Sequence, residues 1–408
     1  MKFTALPFTA SLLAVFLAGC ASTGPSAPSV ATASNTPSSP PPSTSAKPST
    51  NKPSESIPAA PRYQARSWQD LPNWADDALV PGWQAWLKGC AKPRTPWLAV
   101  CQAARAVPLE RAAIRQFIER ELVPYQLANA DGSTSGLITG YYEPVYPGSL
   151  SRNAQANQPV YGPPSDMITV ALDEVYPELK GKRLRGRLVG NKLLPYPDRA
   201  EIVAKGLKAP VLAWLQDPLD VQFLQIQGSG RVQLPDGRML RLGYADQNGR
   251  PYKPVGRWLV EQGLLPANEV SMQSIRAWAK ANPARVDELL NSNPSYVFFR
   301  ELRESDGLKA DDGPLGSLNV PLTAGYSIAV DPGTVPLGSL AFIATTRPDT
   351  AGGLHRLVAA QDTGGAIRGS VRADFFWGTG AAAGELAGTM KQSGQLWLLW
   401  PKGIALPQ

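Results

Sequence analysis

The chain has 408 residues, 43% of them hydrophobic, and a formal net charge of +7. This length favours about two domains, and the apolar fraction is sufficient for a sizeable core. A basic protein can favour acidic partners, but the sequence has no run of five like charges and no basic stretch interleaved with aromatic residues, so nucleic acid is not predicted as a partner.

The first residues predict export. Lys2 precedes an apolar run over 6–18 that is too short for an ordinary membrane span, which predicts a secretory signal over 1–19. The Leu-Ala-Gly-Cys that ends at Cys20 resembles the lipobox of bacterial lipoproteins. The resemblance implies cleavage before Cys20, its lipidation and, because Ala21 follows, an anchor in outer-membrane lipid on the periplasmic face. A plain secreted protein is the alternative.

Residues 20–62 are rich in Ser, Pro, Ala and Thr and nearly free of large apolar residues, which predicts a disordered tether after the lipidated cysteine. Cys90 and Cys101 follow in the folded part. In an oxidising compartment they either form one disulfide or remain two buried thiols. Two such cysteines and His355, in a predicted polar loop, make a zinc site improbable, and no metal is predicted.

From residue 63 the composition is typical of a folded protein. Apolar residues at helical spacing predict a helix over 108–122, which Pro124 ends. Residues 137–142 predict a strand, on which Tyr141 either lines a groove or packs. Four tryptophans are predicted to lie in the core: Trp68, Trp74, Trp83 and Trp86.

In the middle region, alternating residues over 221–226 predict a strand. Gln225, Gln227 and Ser229 lie at its end, beside glycines. Their amide and hydroxyl groups suit sugar hydroxyls and acetamides. A β-bulge with satisfied polar side chains is the alternative.

Further along, Asp236-Gly237 predicts a hairpin turn between two strands. Helices are predicted over 271–281 and through 286–290. From 307 the sequence predicts short strands separated by glycine turns, then a helix over 381–391 and a final buried strand.

Three aspartates follow apolar runs in this last region: Asp331, Asp362 and Asp374. Glycines after them supply the positive φ that tight turns require. Carboxylates on loops held by a rigid sheet are a common way to build a site. Three structural turn aspartates are the alternative.

Other catalytic motifs fit poorly. Asp362-Thr363-Gly364 resembles an aspartic-protease motif, but no second copy is present. A serine nucleophile would need a base, and His355 is the one histidine; no Gly-x-Ser-x-Gly occurs. The segment 378–384 matches neither dinucleotide nor phosphate-loop spacing, so no nucleotide cofactor is predicted.

The remaining possibility is catalysis by a carboxyl group. A buried carboxylic acid with a raised pKa can protonate a glycosidic oxygen. Asp374 follows Ala373 and precedes Phe375, Phe376 and Trp377, so apolar neighbours are predicted to raise its pKa. Asp362 and Asp331, among polar residues and glycines, are predicted to stay ionised and hold backbone amides or orient Asp374.

Seven motifs together resemble the family of membrane-bound lytic murein transglycosylases of type A. The resemblance covers about 63–401 and includes the lipoprotein start. Its motifs are TGYYEP (139–144), FLQIQGSGRV (223–232), GYADQNGRPY (243–252), NPSYVFFRE (293–301), DPGTVPLGS (331–339), QDTGGAIRG (361–369) and ADFFWGTG (373–380).

The resemblance implies a mainly β fold with several helices and two domains. A double-psi β-barrel that contains the three aspartates would be built from both chain ends, 63–145 and 307–408. A second, mostly β domain over 146–306 would be inserted, with the substrate groove between the two.

The implied reaction cleaves the β-1,4 bond between N-acetylmuramic acid and N-acetylglucosamine in peptidoglycan and leaves a 1,6-anhydro ring. Asp374 would act as acid and then base, supported by Asp362 and Asp331, without a cofactor. Candidate groove residues are Thr139, Tyr141, Gln225, Gln227 and Ser229. The predicted partners are glycan strands and membrane lipid, and proteins of cell-wall synthesis or division are candidates. A non-catalytic peptidoglycan-binding outer-membrane lipoprotein is the rival interpretation.

Overall fold

The computed structural model describes residues 62–179 and 181–407. The predicted signal over 1–19, Cys20 and all but the last residue of the predicted tether lie outside these ranges. No helix within the described ranges is both long enough and apolar enough to span a bilayer.

Strands and helices follow one another throughout the described chain. The strands are β1 (Tyr63–Ala65), β2 (Leu122–Leu127), β3 (Gly136–Glu143), β4 (Val145–Ser149), β5 (Gln158–Tyr161), β6 (Ile168–Val170), β7 (Leu184–Val189), β8 (Lys192–Pro195), β9 (Val211–Leu215), β10 (Ser229–Gln233), β11 (Met239–Gln247), β12 (Val297–Glu301), β13 (Ser327–Val330), β14 (Leu340–Thr346), β15 (Gly353–Asp362), β16 (Arg372–Thr379) and β17 (Lys391–Pro401). The α-helices are α1 (Val80–Gly89), α2 (Leu98–Ala104), α3 (Arg111–Glu121), α4 (Arg199–Lys205), α5 (Pro218–Gln227), α6 (Val255–Glu261), α7 (Met272–Ala281), α8 (Val286–Asn291) and α9 (Ala381–Thr389). Short 3-10 helices cover Trp68–Asp70, Trp74–Asp76, Pro177–Leu179, Pro283–Arg285 and Glu304–Asp306.

The larger sheet joins both ends of the described chain, in the order β1-β2-β17-β14-β15-β13-β16-β3. Strand β3 pairs in parallel with β16 and also antiparallel with β17. The inner face of this sheet packs against α1, α2 and α3 in one large core. Trp74, Trp83 and Trp86 are buried there and Trp68 packs against it, as the sequence predicts.

Residues 145–301 build a second sheet, in the order β12-β11-β10-β4-β9-β5, and a small sheet β6-β7-β8. Helices α5 to α8 cover the second sheet and share a separate hydrophobic core with it. Strands β10 and β11 form the hairpin predicted at Asp236-Gly237.

Several predicted helices are confirmed. Helix α3 lies within the predicted 108–122, α8 covers 286–290, and α9 follows the Gly380 turn. Helix α7 shows the local reason most clearly: the Ser271 hydroxyl accepts a hydrogen bond from the Ser274 amide at 3.1 Å and caps the first turn.

The strand predicted over 221–226 is wrong, because this segment belongs to helix α5. The Asp217 side chain accepts a hydrogen bond from the Leu219 amide at 2.8 Å, and Pro218 occupies the first turn. Gly228, with φ +75°, ends the helix in the left-handed region. Residues 221–225 are all buried, so the segment has no polar face to give a helical period.

Cys90 and Cys101 form a disulfide with an S–S distance of 2.06 Å, which joins the end of α1 to α2.

His355, predicted in a polar loop, instead lies in β15, where it pairs with Ala344. Its Nδ1 is 2.9 Å from the side-chain nitrogen of Asn73.

Candidate active site

The larger sheet brings two of the predicted aspartates to either side of one strand. Ala329 in β13 pairs with Asp362 of β15 on one side and with Asp374 of β16 on the other. Neighbouring strands lie about 4.8 Å apart, so the two Cα atoms are separated by about 10 Å. The sheet therefore holds both carboxylates in one neighbourhood.

Alternation along β16 decides which residues surround Asp374. Ala373 and Phe375 point into the large core, whereas Phe376 packs with Tyr141 and Ala329 on the opposite face. The Phe376 and Tyr141 ring centroids are 5.2 Å apart. Asp374 alternates with Phe375 and so shares the Phe376 face.

The Asp374 carboxyl is held at one oxygen. Its Oδ1 accepts a hydrogen bond from Thr139 Oγ1 at 2.6 Å, and Arg372 donates to the same Thr139 hydroxyl at 2.9 Å. Burial raises the pKa of Asp374 to about 6, and the charge of Asp362 adds to this; the Thr139 hydrogen bond and the Arg372 charge act in the opposite direction. Within the described ranges, Oδ2 has no hydrogen-bond donor, so it is available to a ligand.

Asp362 has a different environment. Its Oδ1 accepts hydrogen bonds from the Ser317 amide (2.9 Å), the Ser317 hydroxyl (2.8 Å) and the Thr363 amide (2.9 Å), and its Oδ2 accepts one from the Tyr141 hydroxyl (3.0 Å). Burial raises the pKa of Asp362, while these four hydrogen bonds lower it. All four partners donate, so they stabilise the ionised carboxylate, and both oxygens are occupied.

Tyr141 binds Asp362 through its hydroxyl group. It is only 8% exposed, and its pKa lies well above the ordinary value because of burial first and the charges of Asp362 and Asp374 second. The phenol therefore stays protonated and continues to donate to Asp362.

Asp331 lies just beyond β13 and binds loop backbone. Its Oδ1 accepts from the Gly333 amide at 3.1 Å and its Oδ2 from the Gly369 amide at 2.8 Å. Gly369 has φ +109°, a conformation that favours glycine. Asp331 thus fixes the turn between β15 and β16, and neither of its hydrogen bonds reaches Asp362 or Asp374.

The predicted groove residues divide into two groups. Thr139 and Tyr141 contact the carboxylates, and the Gln227 side chain accepts from the Tyr142 amide at 3.1 Å beside them. Gln225 lies buried, where Arg199 donates to its carbonyl oxygen and its own amide donates to Val297 O at 3.4 Å. Ser229 is also buried.

Sequence reasoning missed Arg372 and Ser317. Arg372 lies two residues before Asp374, so the strand period alone places it on the same face. Ser317 lies in an irregular segment, 45 positions before its partner Asp362, and no local pattern marks it.

Replacing Asp374 with Asn is expected to stabilise the fold near neutral pH. Because the pKa is about 6 in the folded state against an ordinary 3.8, the native state binds more protons between these values, and its stability falls as pH rises through them. The shift corresponds to about 3 kcal/mol at most above pH 7. Urea unfolding should show a larger gain for Asp374→Asn at pH 7.5 than at pH 4. An equal change at both pH values, or the same pattern in the exposed-site control Asp311→Asn, would refute this assignment.

Comparison with protein families gives two matches. Residues 137–300 match the MltA specific insert domain, and residues 326–400 match the 3D domain. Thr139 and Tyr141 lie in the first match, and all three aspartates lie in the second, so the site is composed of residues from both.

Individual proteins of the same family also match this chain. Membrane-bound lytic murein transglycosylase A of Escherichia coli K12 is 32% identical over 67% of this chain and 68% of its own length. The crystal structure of MltA from Neisseria gonorrhoeae, monoclinic form, superimposes with a TM-score of 0.74 at 39% identity, covering 85% of this chain and 94% of that one. The E. coli MltA structure with bound chitohexaose has a TM-score of 0.63 at 25% identity, covering 84% and 95%. The chain described here belongs to the membrane-bound lytic murein transglycosylase A family.

Proposed function

We propose that this protein is a lytic transglycosylase that binds the glycan strands of peptidoglycan and cleaves the β-1,4 bond between N-acetylmuramic acid and N-acetylglucosamine. Asp374 serves first as general acid and then as general base, and the product carries a 1,6-anhydromuramic ring. Its family relatives are named for lytic activity on murein, and one was crystallised with chitohexaose.

The observation that carries the mechanism is the contrast between the two carboxyls. Asp374 has a pKa of about 6 and one oxygen free of donors in the described structure, which suits a proton donor. Asp362 accepts four hydrogen bonds and is therefore ill placed to attack a sugar carbon or activate water. A hydrolase would need a second free carboxylate for one of those tasks.

The proposed reaction consumes no water. Asp374 gives its proton to the glycosidic oxygen, the C1–O bond breaks, and N-acetylglucosamine leaves with a free hydroxyl. The muramic ring passes through an oxocarbenium-like state. Asp374, now ionised, takes the proton of the C6 hydroxyl as O6 bonds to C1, which restores the acid. The nearby Asp362 charge favours the protonated Asp374 before the first step.

Asp331 supports this chemistry by positioning the turn that follows Asp362. Thr139 and Tyr141 are the groove residues that donate to the carboxyls, and Gln227 binds the backbone next to Tyr141. The interior positions of Gln225 and Ser229 favour a structural role in place of sugar binding.

We also propose that six strands of the larger sheet close into a double-psi barrel, with a separate domain inserted between its halves. The support is that β17 pairs with both β14 and β3, so a path of pairings through β15, β13 and β16 returns to its start. A crystal structure without the β17–β3 pairing would contradict this arrangement.

For the location we propose lipid anchoring through Cys20 to the periplasmic face of the outer membrane. The lipobox supports it, and the Cys90–Cys101 disulfide agrees with an oxidising compartment. Labelled palmitate should enter the wild-type protein and not Cys20→Ser; equal labelling of both would refute the anchor.

The pH dependence of the reaction follows from Asp374. Since the acid must be protonated to start, kcat should fall as pH rises through about 6. In Asp362→Asn this limb should move to lower pH, because the variant removes a negative charge that raises the Asp374 pKa. Steady-state rates on isolated glycan strands between pH 4.5 and 8 test both points, and a profile without a limb near 6 would contradict the role of Asp374.

The proposed reaction is tested by digesting murein sacculi with the soluble domain, in which Cys20 is replaced. Mass spectrometry should find muropeptides lighter by one water than those released by lysozyme. Retained binding with no products would instead favour the binding-lipoprotein interpretation.

A further inference from the structure

An apolar cavity of about 580 Å³ adjoins the active site. It lies between the start of β3, the end of α5, helices α6 and α7, and the turn from α9 into β17. Its volume falls in the range of about 300–1,000 Å³ typical of ligand pockets. Phe223, Val255, Val270 and Ile275 contribute to its wall.

The cavity extends to a residue that binds the Asp374 carboxyl. Thr139, whose hydroxyl donates to Asp374, also lines the cavity, and so does Gln227. A group bound in the cavity would therefore lie close to Asp374.

The wall does not suit a sugar. Sugar hydroxyls need many polar partners, whereas this wall is mostly aliphatic and aromatic. Two of its side chains, Leu137 and Ile226, are 41% and 38% exposed, so water now covers apolar surface that an apolar group would cover better.

A positively charged side chain, that of Lys391, lies at the edge of the cavity. Lys391 lines the cavity and pairs across the strands with Thr139, so the two Cβ atoms lie about 5 Å apart. Lys391 forms no ion pair within the described ranges, while Arg257, also at the wall, is 2.7 Å from Glu261. An occupant that combines small apolar groups with a carboxylate would match this edge.

We propose that this cavity binds the peptide stem carried by the lactyl ether of the muramic residue at the cleavage site. This inference rests on the proposed function. The stem begins with an alanine methyl and carries free carboxylates, which fits an apolar wall beside Lys391. The site therefore discriminates peptide-bearing strands from bare glycan.

The test compares two substrates of equal length, peptide-bearing glycan strands and the same strands stripped by an amidase. Lys391→Gln should lower kcat/KM on peptide-bearing strands about tenfold, the loss expected when a hydrogen bond to a charged group is removed. Ala267→Trp, at an exposed residue of the cavity wall, should block the cavity and produce a similar loss. The rate on stripped strands should hardly change in either variant.

Matched controls lie outside the cavity: Lys92→Gln removes an exposed lysine and Ala103→Trp enlarges an exposed alanine of α2. Neither should alter the ratio between the two substrates. If the cavity variants change both substrates equally, or change neither, the stem proposal fails. If wild type makes no anhydro product from either substrate, the proposed function itself fails.

Discussion

Asp374→Asn should lower kcat on murein by ~10²–10⁴-fold, the contribution of a positioned general acid and base. Asn preserves the shape of the side chain and can still accept from Thr139, but it has no proton to give to the leaving oxygen and cannot take one from the C6 hydroxyl. KM should change little, because the same groove remains. Product release measured by chromatography on identical sacculi checks both parameters.

Asp311→Asn, at an exposed aspartate of the same chain, is the matched control and should keep wild-type turnover. A rate for Asp374→Asn within a few-fold of wild type would remove Asp374 from the mechanism. If Asp362→Asn were the variant that abolishes turnover while Asp374→Asn remained active, the roles assigned to the two carboxyls would be reversed.

Arg231→Met should cost about 3–5 kcal/mol of unfolding free energy, since it leaves a buried carboxylate without its partner. Glu143 at the end of β3 is completely buried, and the Arg231 Nε of β10 donates to its Oε2 at 2.8 Å. Thr379 donates to the same oxygen at 2.7 Å, and Arg231 also donates to Asp312 O at 3.0 Å. This pair joins the larger sheet to the second sheet, next to the active site.

The comparison is Arg257→Met, whose partner Glu261 is 56% exposed; loss of such a surface pair should change stability by less than about 1 kcal/mol. Denaturant unfolding of both variants gives the two values. The double variant Arg231→Met with Glu143→Gln should recover part of the loss. Equal costs for Arg231→Met and Arg257→Met would show that the buried pair is not a structural link.

The direction of the Asp374 pKa shift is predicted correctly from the sequence, but for an incomplete reason. The apolar neighbours of Asp374 predicted a raised pKa, and the pKa is raised. However, Ala373 and Phe375 face the core, and the desolvation comes from the face that Asp374 shares with Phe376 and Tyr141. Only the strand period, combined with the pairing of β3 and β16, reveals that face.

Other parts of the site depend on long-range pairing that no local pattern reports. The Ser317 donors to Asp362 come from an irregular segment, and the Tyr141 donor comes from β3, far earlier in the chain. Gln225 is the opposite case. Its motif predicts a groove residue, and helix α5 buries its side chain, whose carbonyl oxygen accepts a hydrogen bond from Arg199.

The most direct test of the central claim is a digest of murein in ¹⁸O-labelled water, with the products weighed by mass spectrometry. If the C6 hydroxyl closes the ring on Asp374, the new muramic ends will be one water lighter than hydrolysis products and will contain no ¹⁸O. If those ends instead carry ¹⁸O, water attacks C1, and the single-carboxyl mechanism is contradicted.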